Sequence, residues 1–583
     1  VATVTPFHIV FPVDDLEAKL LFGRLQGHSM AQRGRQMVLP VEPVLPVEPV
    51  VRGSCRCRSR FPGWSPVLRF VSPFFEEVRS MRLYRNFLLL FGALLLVSAP
   101  SFAAVTLPAL FTSHMVLQRN RPVHIWGMAD PQEKVTVSFR GEVKSTNADA
   151  LGRWSLYLAP GSAGGPFPLT VKASNTIQLD DVLVGDVWVA SGQSNMEFPM
   201  TWLRNAKAEI AAANAPQIRL LRVERAYSDY PLSNVKAAPW AACTPDSVAD
   251  FSAVAYFFAR DVQQKEHVPI GLIDSSWGGT VAEAWTSMDG LSRDASLMPV
   301  FASWARMSDA AVSVQLLRQA VDRDKAEGRP APNLPWLPEL QSWAPAQLYN
   351  GMIAPLTPFA IRGVIWYQGE SNSALDRAPM YSRLFPAMIQ DWRRHWAQGD
   401  FPFLFVQISS FTLAPQDDWA TIREAQRQTL ALRNTAMAVT IDIGNPDNIH
   451  PKDKQDVGER LALAARAIAY GEHDLEYSGP LFQQVTQEPG VLRVWFTHAE
   501  SGLTAKGGAL EGFEVAGTDG KFVPATAKID GATVIVGSPQ VTAPKFVRYG
   551  WANSPKCNLY NQQNLPASPF TSVDDSSHFD DTE

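Results

Sequence analysis

Cysteine is scarce in this chain: four residues among 583, at positions 55, 57, 243 and 557. That is too few for a disulfide scaffold, and no Cys/His spacing builds a structural zinc site. A pairing of Cys243 with Cys557 stays open, because their long separation gives no local evidence either way. An excess of one charge is also missing. With 52 Lys and Arg against 57 Asp and Glu the formal net charge is −5, so no basic field exists to hold nucleic acid, and such a partner is disfavoured. A charged fraction of 19% beside a hydrophobic fraction of 46% is ordinary globular composition and excludes collagenous, mucin-like and wholly disordered classes. At a soft prior of about 150 residues per domain, the length predicts three or four domains.

The uncharged run from Phe87 to Ala99 is 13 residues long, short of the roughly 20 needed to cross a bilayer. It follows Met81, Arg82 and Arg85 and precedes the small residues Ser101 and Ala103. A basic start, an apolar middle and small residues in that order predict a signal peptide over 81–103, cut before Ala104. The expectation is a secreted or periplasmic protein without a stable membrane anchor. Residues 1–80, with their duplicated VLPVEP, read as an over-extended or disordered leader. The acidic tail 574–583 reads as disordered.

From 104 to 180 short alternating runs such as Val135 to Phe139 and Trp154 to Leu158 predict an N-terminal β-sandwich. From 181 to 475 apolar strands alternate with helical patterns. The strands are expected at Val182–Ala190, Ile270–Ser275, Gly363–Tyr367, Phe403–Ile408 and Ala436–Ile441, and the helices at Ala253–Lys265, Tyr381–Trp396 and Gln455–Tyr470. Strands separated by helices predict a mainly parallel sheet covered on both faces, hence an α/β catalytic domain. The Pro- and Trp-rich stretch within about 289–345 reads as an inserted loop region. Alternation returns over 476–573 and predicts a C-terminal β domain.

Ser191-Gly192-Gln193-Ser194-Asn195-Met196 directly follows the first α/β strand. In parallel sheets ligands meet the carboxyl ends of strands, so Ser194 is placed as a nucleophile. Asp447 and His450, three positions apart after the last strand, supply a general base and an acid to orient it. Asp442 competes with Asp447 for that role. Two more strand ends offer oxyanion donors: Gly278 or Gly279 in SSWGGT, where glycine admits close backbone approach, and Gln368 or Asn372 in WYQGESN.

GQSNM, SSWGGT, WYQGESN and DNIHP together resemble the four blocks of the SGNH-type hydrolases, and more narrowly the sialate O-acetylesterase-like family. HMVLQRNRPVHIWGMADPQEKVTVSF and RYGWANSPKCNLYNQQNLPASPF resemble the same family. The resemblance implies a three-layer α/β/α sandwich flanked by β-rich domains, with Ser194 as nucleophile, His450 as base and Asp447 as its partner. It implies oxyanion donors at Ser194, Gly279 and Gln368. Gln368 stands where the wider superfamily usually has asparagine. The implied activity is removal of O-acetyl groups from carbohydrate, either sialic acid or an acetylated plant polysaccharide such as xylan or xyloglucan, with no cofactor and no metal. An acid limb in the pH profile is then expected at about 6–7, the ordinary histidine range. The rivals are a catalytically inactive carbohydrate-binding protein and a lipase or thioesterase of the same superfamily.

Overall fold

The computed structural model describes residues 104–330 and 339–573. The expected leader, signal peptide and acidic tail lie outside the described residues, as does part of the expected insertion. Seven strands open the described chain: β1 (Val116–Gln118), β2 (Val123–Met128), β3 (Lys134–Phe139), β4 (Glu142–Asn147), β5 (Arg153–Leu158), β6 (Gly164–Lys172) and β7 (Thr176–Gly192). Antiparallel pairing joins β4 to β3, β3 to β6 and β6 to β7, while β2 pairs with β5. In β5, Trp154, Leu156 and Leu158 are buried and their neighbours exposed, which is the period of two expected of a strand with one wet face.

β7 does not stop where the first β-region was expected to end. It runs unbroken through residue 180 into the α/β region, so the two regions share one strand. Its pattern changes on the way. Alternation up to Asp181 gives way to complete burial from Val182 onward, as befits a strand covered on both faces.

Six further strands build the sheet: β8 (Ala215–Arg222), β9 (Ala241–Cys243), β10 (Ile270–Ser276), β11 (Gly363–Tyr367), β12 (Phe403–Val406) and β13 (Thr435–Ala438). The order is β13-β12-β11-β7-β10-β8-β9. Every pair is parallel except the edge pair β8 and β9. The result is a mixed α/β fold with a large mixed sheet and β-rich regions.

Among the helices are α1 (Ser194–Glu197), α2 (Ala253–Glu266), α3 (Pro299–Ala326), α4 (Tyr381–Trp396), α5 (Trp419–Gln428) and α6 (Gln455–Ile468). Trp188 of β7 meets Phe258 of α2, while Trp366 of β11 meets Phe385 and Trp392 of α4. Trp366 is level with Ser191, three residues from Trp188, so the two tryptophans point to opposite faces and each face carries a helix. Burial of each such ring stabilises by about 2–3 kcal/mol.

The region expected as an inserted loop holds the 28-residue helix α3. The sequence of this stretch has no helical period of apolar residues, and that period is what a helix is read from. Beyond 476, two four-stranded sheets enclose a separate core that includes Leu492, Val494, Val534, Val547 and Phe570. Cys243 and Cys557 are both free thiols.

Candidate active site

Parallel register brings the motifs together. Ser276 of β10 and Tyr367 of β11 are both level with Gly192 of β7, so the loops SSWGGT, GQSNM and WYQGESN leave adjacent strands at one edge. Gly192 has φ +132°, and a Cβ there would lie 2.2 Å from the Tyr367 carbonyl oxygen. Only glycine permits that approach. The Gln193 N–H donates to the same carbonyl at 3.0 Å, and Ser194 then opens α1.

His450 arrives from the far edge of the sheet. The chain leaves β13 at Ala438 and crosses back past β12, where Thr412 N–H donates to the Pro446 carbonyl and Ser410 Oγ donates to the Ile441 carbonyl. His450 Nε2 ends 2.8 Å from Ser194 Oγ, and the His450 N–H donates to Asn448 Oδ1 at 2.8 Å. Burial pushes the imidazole down to about 4, and the positive charge of Lys454 acts in the same direction.

The two aspartates part company. Asp442 forms a two-pronged pair with Arg460, at 2.7 and 2.8 Å, and is thereby removed from competition for the ring. Asp447 is exposed. Its N–H donates to Asn445 Oδ1 at 3.0 Å, and its carboxylate makes no hydrogen bond to His450.

Among the oxyanion candidates, the Gly278 N–H is taken by Glu197 Oε2 at 2.7 Å. A Cβ on Gly278 would come within 3.2 Å of Ser194 Cβ, so this turn packs directly on the serine. The N–H groups of Ser194 and Gly279 make no hydrogen bond within the described residues; that of Ser194 is one of the free donors of a first helical turn. Gln368 differs from expectation. Its amide nitrogen donates to Asn372 Oδ1 at 2.7 Å and to the Thr280 carbonyl at 3.2 Å, and its oxygen accepts from Tyr381 Oη at 2.9 Å. Both amide protons are thus engaged in this structure, where Gln368 braces the loops. Asn372 is tied to Glu283 and Ala282.

Sequence reasoning passed over Asn195, Glu370 and Lys454, which meet beside the pair. Asn195 and Glu370 lie inside the quoted motifs, so their polar character at a strand end was the available signal. Lys454 gave none, since one lysine before a helix reads as a solvated residue. Among the described residues, one group could place ligand atoms together away from this site: Asp289, Asp391 and His395, within 4.8 Å of one another. Asp391 there already accepts from Ser287 N–H and Oγ.

Residues 338–467 match the family described as carbohydrate esterase, sialic acid-specific acetylesterase. The sialate O-acetylesterase of Mus musculus is 31% identical over 535 residues, covering 82% of this chain and 97% of that protein. The chain belongs to the sialate O-acetylesterase family. The human sialate O-acetylesterase is 32% identical over 509 residues, covering 78% of this chain and 90% of that enzyme. The crystal structure of a carbohydrate acetylesterase from Xanthomonas citri superposes with a TM-score of 0.71 at 40% identity, covering 80% of this chain and 99% of that one. As a sialate O-acetylesterase family member, the chain is a carboxylic ester hydrolase acting on O-acetylated carbohydrate. None of its helices among the described residues is long and apolar enough to cross a membrane.

Proposed function

We propose that this enzyme is an exported serine esterase that deacetylates carbohydrate through an acetyl-enzyme on Ser194, on an SGNH-type three-layer scaffold. The observation that carries this reading is the 2.8 Å contact between Ser194 Oγ and His450 Nε2, within reach for proton transfer. Ser194 Oγ attacks the acetyl carbonyl carbon while its proton moves to His450 Nε2. The oxyanion forms against the free N–H groups of Ser194 and Gly279. Collapse expels the sugar hydroxyl, which takes the proton from His450. Water, deprotonated in turn by His450, then releases acetate from Ser194.

Asp447 is the proposed orienter of the ring. It stands three residues before His450 on the same loop, its side chain is exposed and free to rotate, and the competing Asp442 is held by Arg460. Rotation to meet Nδ1 fixes the tautomer that leaves Nε2 able to accept the serine proton.

The sugar is assigned to a groove of about 390 Å³ beside the base, lined by Phe198, Trp202, Asn448, His450 and Lys452. Trp202 is 56% exposed there and meets Phe198 edge to face. An exposed indole beside a base offers a flat apolar face to a pyranose ring. Acetate release measured across acetylated sialosides, xylans and xyloglucans, with Ser194→Ala as control, tests the reading. Release from one of these classes that disappears in the variant supports it, and full release by the variant overturns it.

A further inference from the structure

Asn195, the residue after the nucleophile, joins three parts of the chain that are remote in sequence. Its amide nitrogen donates to Glu370 Oε1 at 2.6 Å and to the Ile449 carbonyl at 3.0 Å, and its oxygen accepts from Lys454 Nζ at 2.6 Å. Ile449 immediately precedes His450. One side chain therefore ties the turn that carries the nucleophile to the peptide that carries the base.

The partners are unusual ones to bury. Lys454 is 0% exposed and stands at the N-terminal end of α6, where the helix dipole disfavours a cation. Its ammonium lies 4.9 and 5.1 Å from the ring centres of Phe198 and Tyr367, a favourable placement over aromatic faces. Glu370 is buried, and its Oε2 has no hydrogen-bond partner. Burial pushes the Glu370 carboxyl up and the Lys454 ammonium down to about 7, and the charge each retains is supported by the other through one bridging amide.

We propose that Lys454, Asn195 and Glu370 form a buried strut that seats His450 on Ser194, with all three serving as positioning residues. This rests on Ser194 and His450 being the reacting pair. The strut acts in two ways. Asn195 fixes the backbone of the base relative to the nucleophile, where a misplacement of about 1 Å can cost 100-fold in rate. With its ammonium pushed down to about 7, Lys454 is charged in the acid range where the ring titrates, and there its charge adds to desolvation in opposing protonation of the ring. The ring also has Lys452 beside it in the groove and Asp447 on its own loop. Lys454 in turn sees Asn195, Glu370, Asp453 and the two aromatic rings.

The test is kcat/KM for p-nitrophenyl acetate from pH 3.5 to 8, with thermal melts, for wild type, Lys454→Met, Lys454→Arg, Asn195→Ala and Ser194→Ala. Lys454→Met is expected to move the acid limb upward by about one pH unit, while Lys454→Arg leaves it with wild type. Asn195→Ala is expected to lower kcat by about 10-fold or more, with KM changed by less than about 2-fold. A Lys454→Met limb at the wild-type position, or a Lys454→Arg limb displaced as far as that of Lys454→Met, overturns the electrostatic role. Wild-type kcat in Asn195→Ala overturns the positioning role, and that variant decides alone if Lys454→Met does not fold. Retained activity in Ser194→Ala would instead remove the catalytic pair on which the proposal stands.

Discussion

Ser194 Oγ and His450 Nε2 stand 2.8 Å apart although 256 positions separate them in the chain. In the proposed mechanism this contact makes Ser194 the nucleophile. Ser194→Ala is expected to lower kcat on an acetyl ester by about 10³-fold or more, because only binding and oxyanion effects remain. The melting temperature should stay at the wild-type value, since this half-buried hydroxyl supports no core contact. Near-normal kcat in the purified variant would place the nucleophile elsewhere.

The two aspartates of the base loop separate stability from catalysis. Asp447→Asn should reduce kcat by roughly 10²–10⁴-fold through loss of the ring orienter, with little change in melting temperature. Asp442→Asn removes the two-pronged partner of the buried Arg460 guanidinium, leaving it the Asp456 carboxylate at 3.6 Å and the Val439 carbonyl, and should destabilise by about 2 kcal/mol, with kcat retained at temperatures where the protein is folded. Kinetics and melts on both variants decide, and the reverse pattern would exchange their roles.

The acid limb of kcat/KM should fall below the ordinary histidine range. His450 serves as a base only while neutral, so activity is lost as pH drops through its pKa. Burial first, and the charge of Lys454 second, hold that value down to about 4. Activity is therefore expected to persist at pH 5.5, lower than the limb of about 6–7 read from residue type alone. That expectation holds for the ring with Asp447 turned away, as in this structure; a measured limb near 6.5 would report the Asp447 carboxylate turned onto Nδ1, where its charge offsets the desolvation.

Trp202→Ala tests where the sugar lies. Loss of one stacking face of about 1 kcal/mol should raise KM for an acetylated oligosaccharide by about 5-fold. Hydrolysis of p-nitrophenyl acetate, which lacks the sugar, should be unchanged. Equal losses on both substrates would show that Trp202 supports the Ser194 turn rather than the substrate.

Much of the framework was legible in the sequence. The strand Gly363–Tyr367 and the helix Tyr381–Trp396 have the bounds expected from apolar runs and helical spacing, because burial on both faces of a parallel sheet and on one face of a helix writes itself into local pattern. Ser194, Asp447 and His450 could be singled out as candidates for a similar reason, since strand ends in such sheets face ligands, and the structure brings Ser194 and His450 to 2.8 Å. Local pattern failed where burial changes within one element. β7 alternates as far as Asp181 and is fully buried beyond Val182, so it reads as a domain boundary although the backbone is continuous. It failed again over α3, whose sequence has no helical period of apolar residues.

Composition and spacing by themselves determined the kinds of group that meet at the sheet edge, since propensity and periodicity act between near neighbours. The tertiary structure alone decided how those groups are used. Gln368 is held by Asn372, Thr280 and Tyr381, Asp442 is claimed by Arg460, and Asn195 reaches Glu370 and Ile449 across 175 and 254 positions. A hydrogen bond saturates its donor and acceptor, so which polar residue stays free for chemistry depends on partners that no local window of sequence contains.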